Sequence, residues 1–325
     1  MAIAEMPLST RLAQLTDTVL MISPDSFGFN DQTASTNAFQ NNLPADSKDK
    51  PRNKALSEFH DSVDLLRRNG IRVAICPSKT NVATLDAVFP NNWISFHNEV
   101  KGINTVLYPM LAPNRRVERQ LDAVEQTLGI TIDPSTVLDL THYEKLGHFL
   151  EGTGSLIFDR KRKVVFAHES ARTSFRVLDD FCDQTGYRPV KFHAQDEGGK
   201  PIYHTNVVMS IGEGFSVVCL EAVQDRRERS AVKGALSELD LEIINITLDQ
   251  LHAFCGNILE VQSVSKENKI IMSIIAFGAF TEDQRKKLMS YGDIILFNIP
   301  TIETIGGGSA RCMLAEVFHK EEQTK

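Results

Sequence analysis

The stretch SLIFDRKRKVVFA, from Ser155 to Ala167, contains two β-rich runs separated by a charged turn. This pattern predicts a β-hairpin, because β-branched and aromatic residues favour strands and polar clusters favour turns. A helical pattern follows to about Thr185, and the segment YRPVKF then predicts a third strand. The local unit is therefore a hairpin, a helix and a strand.

The same unit recurs twice further along the chain. VVMSIGEGFSVVCL (Val207–Leu220) predicts a hairpin around Gly-Glu-Gly, followed by a charged helix and the strand LEIINI. ILEVQSVSKENKIIMSIIA (Ile258–Ala276) predicts another hairpin, then a helix that begins near Thr281 and the strand IILFNI. The hairpins begin about 50 residues apart, a period typical of repeat architectures.

Two further copies complete the pattern. WISFH and NTVLYPM predict a hairpin, ITIDP predicts a strand, and RRVERQLDAVEQTLG predicts a helix with apolar residues near helical spacing (Val117, Leu121, Val124 and Leu128). A fifth copy combines the late CMLAEVF with the early TVLMIS, a helix from about Lys54 to Asn69, and the strand IRVAIC. Five units that share one copy between both ends of the chain predict a closed ring.

Polar residues directly precede the first strand of every unit. These five lead-in segments are PNN (Pro90–Asn92), LEG (Leu150–Gly152), HTN (His204–Asn206), CGN (Cys255–Asn257) and ARC (Ala310–Cys312). In a ring, they would converge on one end of its axis. A glutamate, a histidine and a cysteine would then line one concave site, the kind of place where ligands bind.

Glu151, His204 and Cys312 suit nucleophilic attack on a planar carbon. A thiolate is the reactive form of cysteine, and a nearby imidazolium favours it. The glycines of GGGSARCM, just before Cys312, would let a substrate approach closely. Each residue alone has an ordinary explanation: a buried core cysteine, a strand-edge histidine or a Glu-Gly turn. Their shared phase in the repeat favours catalysis.

Three further features of the sequence each allow a structural or a functional interpretation. Cys255, in HAFCGN, is the rival nucleophile, but no glycine-rich segment precedes it and a buried turn explains it. Arg172, in HESARTS, is either part of a helix start or a fork that clamps a carboxylate. The polar segment of about 26–54 is either a lid over the site or a plain loop, with Phe29, Asn30 and Asn37 as candidate contacts.

Composition limits the function classes. The formal net charge of −7 and the lack of a long basic run argue against a nucleic-acid partner. No apolar stretch predicts a signal peptide or a membrane span. Five widely spaced cysteines, none in a CxxC pair, argue against a disulfide framework or a zinc site and favour the cytoplasm. The oligomeric state stays open, with a homodimer as one option.

The ordered motifs LEGTGSLIF, HESARTS, YHTNVVM and GGGSARCM resemble the pentein superfamily of guanidine- and ureido-modifying enzymes. Within it, they look most like the amidinotransferase-like citrulline-utilization hydrolases. SFGFNDQTASTNAFQ and AVFPNNWISFH also resemble that branch, and the likeness runs from about Met21 to Phe318. It implies a single catalytic domain over 1–325, with the α/β fold of a five-bladed propeller.

The resemblance also implies roles for the site residues. Cys312 would be the nucleophile, His204 the general acid and base, Glu151 its acidic partner, and Arg172 a ligand of the substrate α-carboxylate. No metal or organic cofactor is implied, and the substrate would be a small molecule, a free amino acid such as citrulline or an arginine-like compound.

The segment DAVFPNN departs from the superfamily pattern. In dimethylarginine hydrolases the matching stretch typically ends in Glu-Asp, which holds the guanidinium. Here Asp86 remains, but Asn91 and Asn92 stand in place of the acids. Asparagine offers both an acceptor and donors, so it complements a neutral ureido group, although asparagine is also common in turns.

The predicted reaction is therefore hydrolysis of citrulline to ornithine, ammonia and carbon dioxide through an S-carbamoyl enzyme. The first alternative keeps the nucleophile but acts on arginine or dimethylarginine, as a deiminase or an amidinotransferase. The second is a non-catalytic five-bladed binding protein, which would have no need of the Cys–His–Glu set.

Overall fold

The computed structural model describes residues 12–41, 51–79 and 81–318. Within these ranges the strands form five separate three-stranded sheets. The strands are β1 (Thr18–Ile22), β2 (Arg72–Cys76), β3 (Ile94–Val100), β4 (Ile103–Leu107), β5 (Val137–Asp139), β6 (Ile157–Asp159), β7 (Val164–His168), β8 (Arg188–Phe192), β9 (Met209–Ile211), β10 (Phe215–Val218), β11 (Glu242–Asn245), β12 (Leu259–Gln262), β13 (Asn268–Ser273), β14 (Asp293–Phe297) and β15 (Ala315–Glu316).

Helices connect the strands. They are α1 (Asp31–Ala34), α2 (Pro51–Arg68), α3 (Leu121–Leu128), α4 (Gly152–Ser155), α5 (Phe175–Thr185), α6 (Thr205–Val208), α7 (Arg226–Glu238), α8 (Leu248–His252), α9 (Ile274–Ala279) and α10 (Glu282–Tyr291). Short 3-10 turns cover Pro90–Asn92, Pro113–Glu118, Pro134–Thr136, Thr141–Leu146, Leu220–Ala222 and Ala310–Met313, and one π-helical turn covers Ile302–Gly306.

All five sheets share one topology. The middle strand pairs antiparallel with the first strand of its unit and parallel with the third. A helix joins the two parallel strands, since a parallel connection must cross over the sheet. The sheets are β3-β4-β5, β6-β7-β8, β9-β10-β11, β12-β13-β14 and β15-β1-β2. The fold is therefore α/β with small mixed sheets, and the predicted hairpin–helix–strand unit is confirmed.

The last of these sheets combines both ends of the described chain. Val19 pairs with Glu316 and Leu20 with Ala315 in the antiparallel ladder, while β1 runs parallel to β2. The sequence prediction that CMLAEVF and TVLMIS build one unit is thus confirmed.

Apolar residues of sheets and helices form the core. In the largest cluster, Phe166, Phe192 and Phe215 on strands pack with Val232 and Leu236 of α7. Each of these side chains is buried. The helix α7 buries one face only, which matches the spacing of its apolar residues.

Two predicted elements in the N-terminal half are wrong. ITIDP is not a strand, because Pro134 cannot donate to a ladder and instead opens a 3-10 turn capped by Asp133; the strand is β5, which follows. The helix predicted from RRVERQLDAVEQTLG begins only at Leu121, because Arg119 is extended. Val117 consequently lies outside the helix and is 39% exposed.

Two boundaries also differ from the prediction. The segment SIIA, taken as strand, contains the start of α9, since the side chain of Ser273 caps the amide of Ala276. Helix α2 begins at Pro51 rather than near Lys54, and proline is well suited to a first helical position.

The lead-in segments form tight turns that contact one another. Thr205 Oγ1 donates to the carbonyl of Ser155 (2.7 Å), Asn257 Nδ2 donates to the carbonyl of Asn206 (3.1 Å), and the amide of Arg311 donates to Asn257 Oδ1 (3.1 Å). The turn at Pro90–Asn92 packs against α4 and against the turn at Ala310–Met313. The repeats therefore bring their polar residues together.

Glycines make this close approach feasible. A Cβ on Gly152, which has φ +48°, would lie 2.2 Å from the carbonyl oxygen of Asn91. A Cβ on Gly256 would lie equally close, 2.2 Å, to the carbonyl oxygen of Val207. Since both neighbours are backbone atoms, no side-chain rotation can relieve such a contact.

Among the helices of the described ranges, none combines the length and the apolar character needed to cross a membrane. The same ranges contain no group of three or more His, Cys, Asp or Glu side chains placed to hold a metal ion.

Replacing Gly256 with alanine should lower the free energy of unfolding by about 3 kcal/mol, because the new methyl group meets a backbone carbonyl that cannot move aside. The matched control is Gly234→Ala in α7, where a Cβ meets nothing within 4 Å. Removing a mid-helix glycine there should raise stability by about 0.5–1 kcal/mol. Urea unfolding of both variants checks the pair; equal stability of the two would contradict the packing described.

Candidate active site

The structure brings Glu151, His204 and Cys312 together at the lead-in turns. Each is almost fully buried, with exposed fractions of 1%, 2% and 3%. His204 and Cys312 line one cavity of about 20 Å³, and Glu151 lies behind the imidazole. The cavity is also lined by Thr33, Asn37, Asp86, Phe89, Asn92, Arg115, Arg172, Tyr203 and Gly306 to Gly308.

Glu151 orients His204. Its Oε2 lies 2.9 Å from Nε2 of the imidazole, while its Oε1 accepts from the amide of Leu111 at 3.0 Å. Burial alone would raise the pKa of Glu151, but the charge of Arg172 and the hydrogen bond with His204 lower it to about 2. Burial lowers the pKa of His204 to about 4, although Glu151 opposes the shift. Near neutral pH the pair is a carboxylate and a neutral imidazole.

Cys312 lies between two amide donors. Asn206 Nδ2 is 3.3 Å from Sγ and Asn257 Nδ2 is 3.2 Å from it. Two N–H groups directed at sulfur stabilise negative charge there. Both asparagines are fully buried and both belong to the lead-in segments HTN and CGN. Neither asparagine is among the predicted site residues, although the position of each in the repeat is a signal for such a role.

The glycine-rich segment before Cys312 forms a wall of the cavity. Gly307 has φ +65°, and its carbonyl accepts from Asn37 Nδ2 (3.0 Å) and from Tyr203 Oη (2.7 Å). A Cβ on Gly308 would lie 3.0 Å from the ring of Phe89. Glycine at position 307 thus allows the positive φ, and glycine at position 308 leaves space for the ring of Phe89.

Arg172 is buried beside the catalytic candidates. Its Nη2 donates to the carbonyl of Thr33 (2.8 Å) and to Thr36 Oγ1 (3.0 Å), and its Nη1 lies 3.6 Å from Glu151 Oε2. The guanidinium also stacks over the ring of Tyr203, 5.1 Å from its centroid. The prediction that Arg172 binds a substrate carboxylate stays a prediction.

Asp86 places a second carboxylate in the wall of the cavity. Its Oδ2 accepts from Asn30 Nδ2 (2.7 Å) and Thr33 Oγ1 (3.1 Å), whereas its buried Oδ1 has no hydrogen-bond partner. Burial raises the pKa of Asp86, against the opposing charge of Arg115. An acceptor oxygen that lacks a partner inside a cavity is suited to an N–H donor of a ligand.

The asparagine pair takes two different positions. Asn92 lines the cavity, but its Oδ1 accepts from Arg115 Nη1 (2.5 Å) and its Nδ2 donates to Asn91 Oδ1 (3.2 Å). Asn91 does not line the cavity, and its own Nδ2 has no partner. Arg115 in turn forms a fully buried ion pair with Glu118 (2.8 Å). Sequence reasoning missed Arg115, since nothing in its segment distinguishes it from a solvated arginine.

The described part of the polar segment, 26–41, packs over the cavity. Asn30 contacts Asp86, Asn37 contacts Gly307, and the ring of Phe39 lies 5.7 Å from that of Tyr203. Asn37 lines the cavity and Asn30 contacts its wall at Asp86, and their contact with a substrate stays a prediction. Residues 42–50 lie outside the described residues, and whether the segment is a lid stays a prediction.

Cys255 belongs to the core rather than to the cavity. It is fully buried in the largest apolar cluster, its Sγ lies 3.3 Å from the carbonyl of Ala276, and burial raises the pKa of its thiol to about 12. These surroundings do not favour a thiolate, in agreement with its lower ranking from sequence.

Comparison with known families and structures gives two results. A model of the family described as eukaryotic N,N dimethylarginine dimethylhydrolase matches residues 23–319. No protein of curated function matches the sequence.

Several solved structures share the fold. Apo ArgZ, an arginine dihydrolase from the ornithine-ammonia cycle in cyanobacteria, superposes with a TM-score of 0.71 at 17% identity over 93% of this chain. The chain spans only 41% of that protein, but 98% of an N-terminal domain of ArgZ bound to substrate. DDAH from Pseudomonas aeruginosa in complex with citrulline gives a TM-score of 0.62 at 15% identity, with 94% of this chain and 100% of that chain covered. At these identities the likeness concerns the fold.

Lowering the pH from 7 should remove the stability that the buried neutral histidines contribute. His204 and His168 are both buried with pKa values near 4, against 6.5 for an ordinary histidine, so the unfolded chain binds more protons between these limits. The stability that each contributes is complete above pH 6.5 and is lost as pH falls towards 4, on the order of 3 kcal/mol per imidazole.

Urea unfolding at a series of pH values measures this loss. His168→Gln, which removes one buried imidazole outside the cavity, should flatten the slope, whereas the exposed control His142→Gln should not. A slope that His168→Gln leaves unchanged would contradict the neutral, buried state of His168.

Proposed function

Because the chain belongs to the N,N dimethylarginine dimethylhydrolase family, and so to the pentein superfamily, we propose that it is a cysteine-dependent hydrolase of guanidino or ureido groups on free amino acids. One observation carries the proposal: Cys312 and His204 line a common cavity, with Glu151 hydrogen-bonded to the imidazole and the Asp86 carboxylate also in the cavity wall. These groups supply a nucleophile, a proton carrier and an anchor for a nitrogen-rich substrate.

In the first step, His204 accepts the thiol proton and Cys312 attacks the planar carbon. The amides of Asn206 and Asn257 stabilise the thiolate, and Glu151 stabilises the imidazolium. A carbon–sulfur bond forms, one carbon–nitrogen bond breaks, and His204 delivers its proton to the departing nitrogen. The product of this step is a covalent S-amidino or S-carbamoyl enzyme.

In the second step, His204 removes a proton from water, which attacks the same carbon and releases the thiol. Arginine and one water give citrulline and ammonia. Citrulline and one water give ornithine, ammonia and carbon dioxide. Apart from the substrate and water, neither balance needs a co-reactant.

The substrate can be argued from the polar groups of the cavity. Asn91 and Asn92 favour citrulline in the sequence. In the structure, however, Arg115 Nη1 already donates to Asn92 Oδ1, and Asn91 does not line the cavity. The unpartnered Asp86 Oδ1 supports a substrate with N–H donors, and a buried carboxylate favours a cation. We therefore propose that the site accepts a guanidinium and also the ureido group of citrulline.

Among structures that share the fold, one is described as an arginine dihydrolase and another contains citrulline, which supports a ligand of the arginine and citrulline type. Arg172 remains the proposed ligand of the α-carboxylate. To bind it, the guanidinium would exchange its hydrogen bonds to Thr33 and Thr36 for bonds to the substrate.

We also propose that the five sheets are the blades of one five-bladed α/β propeller in a single catalytic domain. The common strand order of the sheets supports this arrangement. So do the contacts between successive lead-in turns.

An end-point assay tests the reaction. Purified protein is incubated separately with citrulline, arginine and dimethylarginine, and ammonia and amino-acid products are resolved. Cys312→Ala should lower product formation at least about 1000-fold, because no other side chain replaces the nucleophile.

The matched control is Cys182→Ala, which removes a cysteine on helix α5 in a separate apolar cluster and should leave turnover unchanged. Activity that survives Cys312→Ala would overturn the mechanism. If the wild-type chain turns over none of the three substrates, the non-catalytic binding protein becomes the better explanation.

Asp86→Asn separates the two substrate classes. The side-chain amide of this variant cannot neutralise a guanidinium, but its oxygen can still accept from a ureido N–H group. We therefore expect kcat/KM for arginine to fall roughly tenfold to a hundredfold more than kcat/KM for citrulline. Steady-state rates on both substrates measure the ratio. An equal loss on both would mean that the carboxylate does not select the charge of the substrate.

A further inference from the structure

A buried carboxyl group closes the glycine segment that forms one wall of the catalytic cavity. Ser309 Oγ donates to Glu303 Oε1 at 2.5 Å, and the amide of Gly307 donates to the carbonyl of Glu303 at 2.9 Å. Gly306, Gly307 and Gly308 lie between the two side chains in the sequence and line the cavity. The Glu303–Ser309 contact therefore joins both ends of a stretch whose backbone has the widest conformational freedom of any residue type.

This carboxyl group is unfavourable where it lies. Glu303 is 4% exposed, and its Oε2 has no hydrogen-bond partner. Burial raises its pKa, the nearby hydroxyl groups of Ser309 and Ser273 oppose this shift, and the charge of Glu58 adds to it. A buried polar group with one oxygen unmatched lowers stability compared with an apolar side chain of the same shape. Its presence points to a role other than stabilising the core.

The backbone around Glu303 departs from a regular helix. Glu303 belongs to the π-helical turn, a rare form that is frequent at functional sites. The start of this turn is fixed by helix α2, because the two oxygens of Glu58 accept from the amides of Thr301 (2.9 Å) and Ile302 (3.0 Å). The turn is thus anchored at its start, and Glu303 extends that anchorage to Ser309 beyond the glycines.

Ser309 connects this anchor to the candidate nucleophile. It is fully buried, and its carbonyl accepts from the amide of Cys312 (3.0 Å). The glycine segment also lies against Cys312, since a Cβ on Gly308 would be 3.4 Å from the Cβ of the cysteine. A displacement of Ser309 would therefore shift the sulfur and the cavity wall together. A misplacement of about 1 Å at a reacting atom can lower a rate about a hundredfold.

We propose that Glu303 is a positioning residue for Cys312, an inference that rests on the proposed role of Cys312 as nucleophile. The Glu303–Ser309 contact holds the glycine segment in one conformation, so that the cavity wall and the sulfur keep their places during attack. Glu303 itself does not line the cavity. It thus favours turnover although it lowers stability.

A double variant of the full chain, Glu303→Met with Ser309→Ala, tests the proposal, because it removes both partners and leaves neither unmatched. Its Tm should equal or exceed that of the wild type. On arginine or citrulline, whichever the wild type turns over faster, kcat should fall about tenfold to a hundredfold while KM changes less than about threefold. Glu303→Gln keeps an acceptor for Ser309 and should retain kcat to within about threefold of the wild type.

The matched control is Ser216→Ala in β10, which removes an equally buried hydroxyl that donates to the carbonyl of Ser210 (3.0 Å). It should lower Tm and leave kcat unchanged. A double variant with the kcat of the wild type would overturn the proposal. So would an equal loss of kcat in Ser216→Ala, because any lost buried hydrogen bond would then have the same effect.

Hydrogen exchange followed by mass spectrometry tests the same contact without turnover. The amides of residues 304–314 should exchange at least about tenfold faster in the double variant, and those of sheet β9-β10-β11 should exchange as in the wild type. Unchanged exchange over 304–314 would overturn the inference. Should the double variant fail to fold, Ser309→Ala alone, which breaks the contact, should show the same loss of kcat and the same faster exchange.

Turnover by the wild type decides the proposed function, and the variants decide this inference. An active wild type with an equally active double variant would refute the role of Glu303 and leave the nucleophile in place. A wild type that turns over none of the substrates would refute the proposed function and, with it, the role of Glu303.

Discussion

The carbonyl oxygens of Asn91 and Val207 each face a glycine across the junction between two neighbouring units, at a separation where any Cβ would collide. This close backbone contact sets the distance between the lead-in turns. Because the turns lie so close, side chains from segments more than 150 residues apart share one cavity, and Glu151, His204 and Cys312 need no long reach to meet. The chemistry of the site thus depends on a packing constraint between pieces of backbone.

Much of this arrangement could be predicted from the sequence, because its signals are local and periodic. Alternating apolar runs locate the hairpins, and a polar group at the same phase of each unit identifies the residues that converge. Asn206 and Asn257 carried the same signal, yet their role next to Cys312 emerges only when two neighbouring turns are seen together. The apolar pattern of ITIDP predicts a strand after α3, but this prediction is wrong because Pro134 opens a 3-10 turn.

The buried charges could not be predicted. Arg115, Arg160 and Arg311 look in the sequence like ordinary solvated residues, and periodicity carries no information about which arginines turn inward. The partners of Arg160 are far along the chain: Glu316 is 156 residues away and His97 is 63 residues away. Long-range polar networks of this kind become visible only in three dimensions. They also pair charges inside the protein, as Arg115 does with Glu118 and Arg311 with Glu316.

The sheet built from both ends of the chain has a consequence for folding kinetics. Strand β1 emerges from the ribosome well before its antiparallel partner β15, which lies almost 300 residues later, with Val19 paired to Glu316. Until that partner arrives, one side of β1 is an open strand edge, which is the kind of surface that recruits other chains. Pairing over such a separation raises contact order and slows the final step of folding. Since Cys312 lies just before β15, the nascent chain would hold no assembled cavity around Cys312 until the ladder between β1 and β15 closes.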